Sequence, residues 1–188
     1  SSFIHKHYCF RDIVQLLSSL NAIGAAKTSQ NIISNVISKN KKIFDSAFNK
    51  EELDNFGQGI YMVYDNYLFT KNRDFLSQSF SFVDKCINLI QKNLVKTHSK
   101  RPELIGLLKK SLSFEKAGFK DHYFWDDFWA LAGIKKAVEI AKILNKYEKL
   151  EQYQILEKKL TRDINISLAL LFEKNKNNGK TKHRFNCC

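Results

Sequence analysis

Two adjacent carboxylates, Asp126 and Asp127, stand inside a run of rings: Tyr123, Phe124, Trp125, Phe128 and Trp129. Acids among aromatic faces are what a sugar site needs, because rings cover the apolar faces of a pyranose while carboxyls bond its hydroxyls or pass protons. Burial beside aromatics also raises a carboxyl pKa, as a general acid requires. Neighbouring helix residues point in different directions, so at most one of the two Asp is expected to face a given cavity. A plainer reading exists. Acids in a first turn complement the helix macrodipole, and rings at this spacing often belong to the core.

The elements that must position these residues are helices. Residues 10–23 carry Ile13, Leu16, Leu17, Leu20 and Ile23 at helical spacing, with Gly24 as a C-cap. Thr28 or Ser29 is expected to cap a second helix bearing Ile32, Ile33, Val36 and Ile37. The stretch from Lys39 to Lys50 reads as the way out of this first hairpin. Asp54 to Lys71 predicts a third helix, and Asn72 caps a fourth with Leu76, Phe80, Val83, Ile87, Ile90 and Leu94 on one side. The short break between them requires an antiparallel return.

Residues 97–122 show no sustained periodicity and contain Pro102, Gly106 and Gly118. Long connections inside compact domains are usually functional when ordered. A fifth helix follows from about Tyr123 to Lys146, apolar around most of its circumference, and then a one-faced sixth over about 148–172. The expectation is an all-α fold of three antiparallel helical hairpins (about 8–40, 54–98 and 123–172) in one partial domain over 1–172. A basic flexible tail is expected over 173–188. The hairpins begin at uneven intervals, which argues against a regular solenoid.

The formal net charge of +12 invites a nucleic-acid reading, yet only five of the 31 basic residues are Arg, and the Lys are dispersed along the chain. Nucleic-acid binders gather their cations on one face and use Arg for bidentate contacts, so this class is set aside. Cys9, Cys86, Cys187 and Cys188 form no C-x-x-C pair, and no metal or other cofactor is expected. The cysteines suggest a reducing, cytoplasmic setting. No apolar run approaches the roughly 18 residues of a membrane span, so no membrane partner is expected.

Three segments carry a resemblance. Tyr123-Phe-Trp-Asp-Asp-Phe-Trp-Ala-Leu-Ala-Gly-Ile resembles the Y-W-D-D-F-W-x-L-x-G-L signature of six-hairpin, (α/α)6-barrel glycosidases, the glucoamylase-like glycoside hydrolases among them. Asp54-Asn-Phe-Gly-Gln-Gly-Ile-Tyr with Thr70-Lys-Asn-Arg-Asp-Phe-Leu is similar to their D-x-x-G-Q-x-x-W…T-x-D-x-x-F-L hairpin, and Tyr8-Cys-Phe-Arg-Asp to their Y-x-x-R-D. The resemblance implies about half of an (α/α)6 toroid acting on oligosaccharide α-glucosides by general acid/base hydrolysis. Asp126 would be the general acid, with Asp127 the second choice, although glucoamylases carry a Glu there. Arg11 and Asp12 would bond sugar hydroxyls and Trp125 or Trp129 would stack on a ring. Tyr123 joins this aromatic lining, Gln58 would reach the pocket rim, and Glu115 would face the site from the long connection.

Twelve helices with their loops need on the order of 350 residues, whereas this chain has 188. In the family the base comes from a late hairpin. The second carboxylate is therefore expected outside this sequence, supplied by a longer enzyme or by a partner carrying the missing half, and the chain alone is expected to be incompetent. The open flanks of a half toroid would be apolar and prone to self-association. The alternative is a non-catalytic helical interaction module or pseudoenzyme.

Overall fold

The computed structural model describes residues 10–38, 51–98, 100–112 and 119–177. The fold is all-α. Helix α1 (Phe10–Ala22) and α2 (Ala26–Ser38) form one hairpin, α3 (Asp54–Thr70) and α4 (Arg73–Lys92) a second, α5 (Phe124–Ile143) and α6 (Tyr147–Asn177) a third. Between α4 and α5 lie a 3-10 turn, Pro102–Leu104, and two short strands, β1 (Ser111–Leu112) and β2 (Lys120–Asp121).

The helices stack in two layers. Helix α3 packs between α1 and α5, each of these three against its own hairpin partner, and α2 and α4 also settle against the next inner helix. Half of an (α/α)6 toroid would have this neighbour order, and so would an open two-layer array. The core is continuous across it, from Phe10, Val14 and Leu17 through Phe56, Ile60 and Val63 to Ile134, Val138 and Tyr153.

Two hairpin turns use the same device. Gly24 takes φ +87° and Asn145 φ +56°, and the next amides donate five residues back, Ala25 to Leu20 O at 2.8 Å and Lys146 to Ala141 O at 2.9 Å. Left-handed backbone just past a helix end satisfies its orphan carbonyls and reverses the chain. That reversal is why α2 begins at Ala26, ahead of the expected caps. Ser29 is instead buried inside α2, where its hydroxyl donates to Leu17 O at 3.4 Å. At the second hairpin Asn72 caps α4 as expected, its side chain accepting from Phe75 N at 3.0 Å.

The described parts of the connection, 94–98 and 100–112, carry backbone pairing that their lack of periodicity does not suggest. Val95 N donates to Leu107 O at 2.7 Å, Gly106 N to Val95 O at 2.8 Å and Lys109 N to Asn93 O at 2.9 Å, so the chain doubles back as a ladder. Leu94, expected on the buried side of α4, lies past its end in a bridge to Leu108. Strands β1 and β2 pair antiparallel, Ser111 opposite Asp121. Helix α6 continues to Asn177, five residues into the segment read as a tail.

The crossing of α3 and α5 fixes everything below. A methyl on Gly57 would meet Trp129 O at 2.0 Å, and one on Gly133 would meet Gly57 Cα at 2.6 Å. Only glycine permits this approach, and it sets the first turns of the two helices side by side.

Candidate active site

The inner helices α1, α3 and α5 bring their N-terminal turns to one place, each contributing one member of a linked group. Asp54, buried at the start of α3, accepts three bonds on Oδ2: from Arg11 Nη2 at 3.0 Å, Gln58 Nε2 at 2.8 Å and Trp125 Nε1 at 3.0 Å. The Arg11 guanidinium also lies over the Trp125 ring, 5.1 Å from its centroid. Trp125 meets Trp129 edge to face at 6.0 Å, and Trp129 meets Tyr61 likewise at 5.8 Å.

The two adjacent aspartates part company, as helix geometry requires. Asp126 accepts a bond from the Ser111 hydroxyl on β1. Burial raises its pKa to about 7; the Ser111 bond and Arg11 oppose the shift, while the charges of Asp54 and Glu52 add to it. Asp127 turns instead to the connection, accepting from Leu108 N at 2.8 Å, and burial pushes its carboxyl to about 8 despite that bond. The same Leu108 is held from its other side, its carbonyl 3.0 Å from His122 Nδ1. Burial lowers the His122 pKa, and because a carbonyl can only accept, the ring nitrogen is the donor.

Glu52, in the turn before α3, completes the group. Its carboxyl accepts from Asn55 Nδ2 at 3.1 Å, and burial with the nearby Asp54 charge raises its pKa against that bond. The backbone brings it close: Leu112 N donates to Glu51 O at 2.8 Å, while the adjacent Ser111 holds Asp126. Glu52, Arg11 and Trp125 are only half-buried and form the solvent side of a cluster whose interior is Asp54, Gln58 and Asp126.

Of the residues singled out in the sequence, Arg11, Gln58, Trp125, Trp129 and Asp126 gather here. Asp127 shares their helix turn but faces the connection. Gln58, expected at the rim, is fully buried. One side of the Trp125 ring carries Arg11, which leaves that face closed to a sugar. Tyr123 is buried and donates from its hydroxyl to Phe119 O at 3.0 Å. Asp12 is exposed on α1. Glu115 and Tyr8 lie outside the described residues. Sequence reasoning passed over Asp54, Glu52 and Ser111. Asp54 and Glu52 had a signal in their position just ahead of Gly57, whereas Ser111 had none, since only the folding of the connection delivers it.

An open groove of about 680 Å³ lies elsewhere, along α6 and the facing side of α5, lined by Lys135, Lys158, Thr161, Arg162, Asn165 and Ile166 among others. None of the clustered residues lines it. Among the described residues no group of His, Cys, Asp and Glu could hold a metal ion, and no helix is long and apolar enough to cross a membrane. No family model matches the chain, and neither the curated proteins nor the solved structures contain a match. The likeness to six-hairpin glycosidases therefore stands on its motif residues alone.

Proposed function

We propose that the cluster at the starts of α1, α3 and α5 is a glycoside-cleaving site of the α/α-barrel type, acting on oligosaccharide α-glucosides, with Asp126 as its proton donor. One arrangement carries this reading: the buried Asp126 carboxyl, its pKa raised to about 7 by burial, lies on the helix turn of Trp125, whose indole shares Asp54 with an ion-paired Arg11. Such a group is protonated often enough at neutral pH to give its proton to a departing glycosidic oxygen. The carboxylate of Asp54 holds Arg11 and Trp125 in register, so the ring edge and guanidinium are fixed before a ligand arrives.

The test is binding and turnover together. Saturation-transfer NMR with maltotetraose should give contacts that weaken in Trp125→Ala. Release of glucose from maltotetraose, whose departing sugar oxygen needs a proton, should fall by roughly a hundredfold or more in Asp126→Asn, as loss of a general acid does. Absence of contacts with the unaltered chain, or an unchanged rate in Asp126→Asn, would sink the reading.

A second reading, a helical interaction module, draws support from the α5–α6 groove. Ile166 lines that groove, and Phe128, Leu170 and Phe172 are also exposed on those helices, apolar surface of a kind that a protein partner could cover. Light scattering across a concentration series tests it. A fixed monomer mass that binds maltotetraose favours the site, and self-association without sugar binding favours the module.

A further inference from the structure

We infer that Glu52 is the second ligand-facing carboxyl of the site, so that the acid pair is complete within this chain. The inference rests on the sugar reading of the cluster and departs from the expectation that the second carboxylate lies outside the sequence.

Three observations lead to it. The backbone bond from Leu112 N to Glu51 O and the side-chain bond from Ser111 to Asp126 join the turn before α3 to the first turn of α5 through two consecutive residues of β1. Glu52 and Asp126 are thereby held near enough for the Glu52 charge to act on the Asp126 carboxyl. Of the carboxyls there, Asp54 and Asp126 are buried, Asp54 with its Oδ2 bound to three donors, whereas Glu52 takes one side-chain bond among the described residues, from Asn55, and is partly open to solvent. Glu52 is the carboxyl of the three that solvent reaches.

The third observation concerns Gln58. Gln58 is fully buried, its amide nitrogen is bound to Asp54, and its Oε1 has no hydrogen-bond partner among the described residues. Its amide lies against the cluster, and a buried acceptor of this kind is destabilising unless a donor reaches it. A hydroxyl-rich ligand supplies such donors, and an apolar one does not.

In the reaction the glycosidic C–O bond breaks as Asp126 gives its proton to the departing oxygen. Water forms the new bond to the anomeric carbon as its own proton passes to the Glu52 carboxylate. The proton on Glu52 returns to Asp126 through solvent after the products leave, so no oxidant, reductant or further reactant is needed.

The experiment compares the unaltered chain with Glu52→Gln and Glu52→Asp. Carboxyl carbon NMR follows the titration of Asp126, and NMR titration with maltotetraose follows binding. The expected result is that Glu52→Gln lowers the Asp126 midpoint, because a like charge is removed, and weakens maltotetraose at least tenfold, while Glu52→Asp retains most of both. An Asp126 midpoint unmoved by Glu52→Gln overturns the inference. So does full maltotetraose binding in that variant, and in that case the sugar reading survives. If the unaltered chain ignores maltotetraose while the carboxyls remain coupled, the sugar reading fails and takes the ligand role of Glu52 with it.

Discussion

Asp127 offers a direct test of how burial governs this molecule. Its carboxyl is almost completely enclosed and titrates at about 8 in the folded chain, against about 3.9 when unfolded. Between those values the native state holds a proton that the unfolded state has released. Stability then falls as pH rises, by about 1.4 kcal/mol per pH unit for one such group. Below about pH 4 both states are protonated and the effect vanishes; above about 8 both are ionised and the loss is complete. Asn keeps an oxygen able to accept from Leu108 N and cannot ionise, so Asp127→Asn isolates the proton from the contact.

Urea unfolding at pH 5, 6, 7 and 8, followed by tryptophan fluorescence, reads the difference. The unaltered chain should lose stability across this range relative to Asp127→Asn, by about 1.4 kcal/mol for each unit and roughly 4 kcal/mol over the whole range. Neutral His122 acts in the opposite sense, since its lowered pKa makes stability rise with pH near 6, but it is common to both chains and drops out of the comparison. Parallel curves for the two proteins would refute the argument, for they would mean that Asp127 is ionised throughout and that burial does not set its charge.

Gly57→Ala should lower the thermal midpoint by several degrees, because its methyl meets Trp129 O at 2.0 Å and overpacking of about 1–3 kcal/mol outweighs the roughly 1 kcal/mol of helix propensity gained. Scanning calorimetry measures it, and a raised midpoint would show that the helices part without cost. Asn72→Ala removes the side-chain acceptor from Phe75 N and should cost about 1 kcal/mol in urea unfolding, while Asn72→Asp should retain most of the stability.

The fold was legible because its signals are local. The apolar rhythm of α4, the cap at Asn72 and the turn at Gly24 are written within a few residues of where they act. Register inside the site was not, because it depends on helices meeting at Gly57 and Gly133, and nothing near Asp54 announces that Trp125 will reach it. The unequal fates of Asp126 and Asp127 followed from helix geometry, but their partners did not. Ser111 and Leu108 belong to a stretch without periodicity, where backbone pairing decides the path. Thr28 and Ser29 misled for a related reason: a suitable cap residue is common, and the reversal after Gly24 had already begun the next helix.

The separation of Asp54 from Trp125, 71 residues along the chain, bears on the order in which the protein assembles. Each hairpin closes through near neighbours and can collapse quickly, whereas the cluster exists only once the third hairpin has docked on the second. During synthesis the first two hairpins emerge with Asp54 lacking its indole partner, and Glu52 and Asp54 sit near each other beside Arg11. The carboxyl group of helices is thus a late product of folding, and any factor that delays docking of α5 delays the site without delaying the helices.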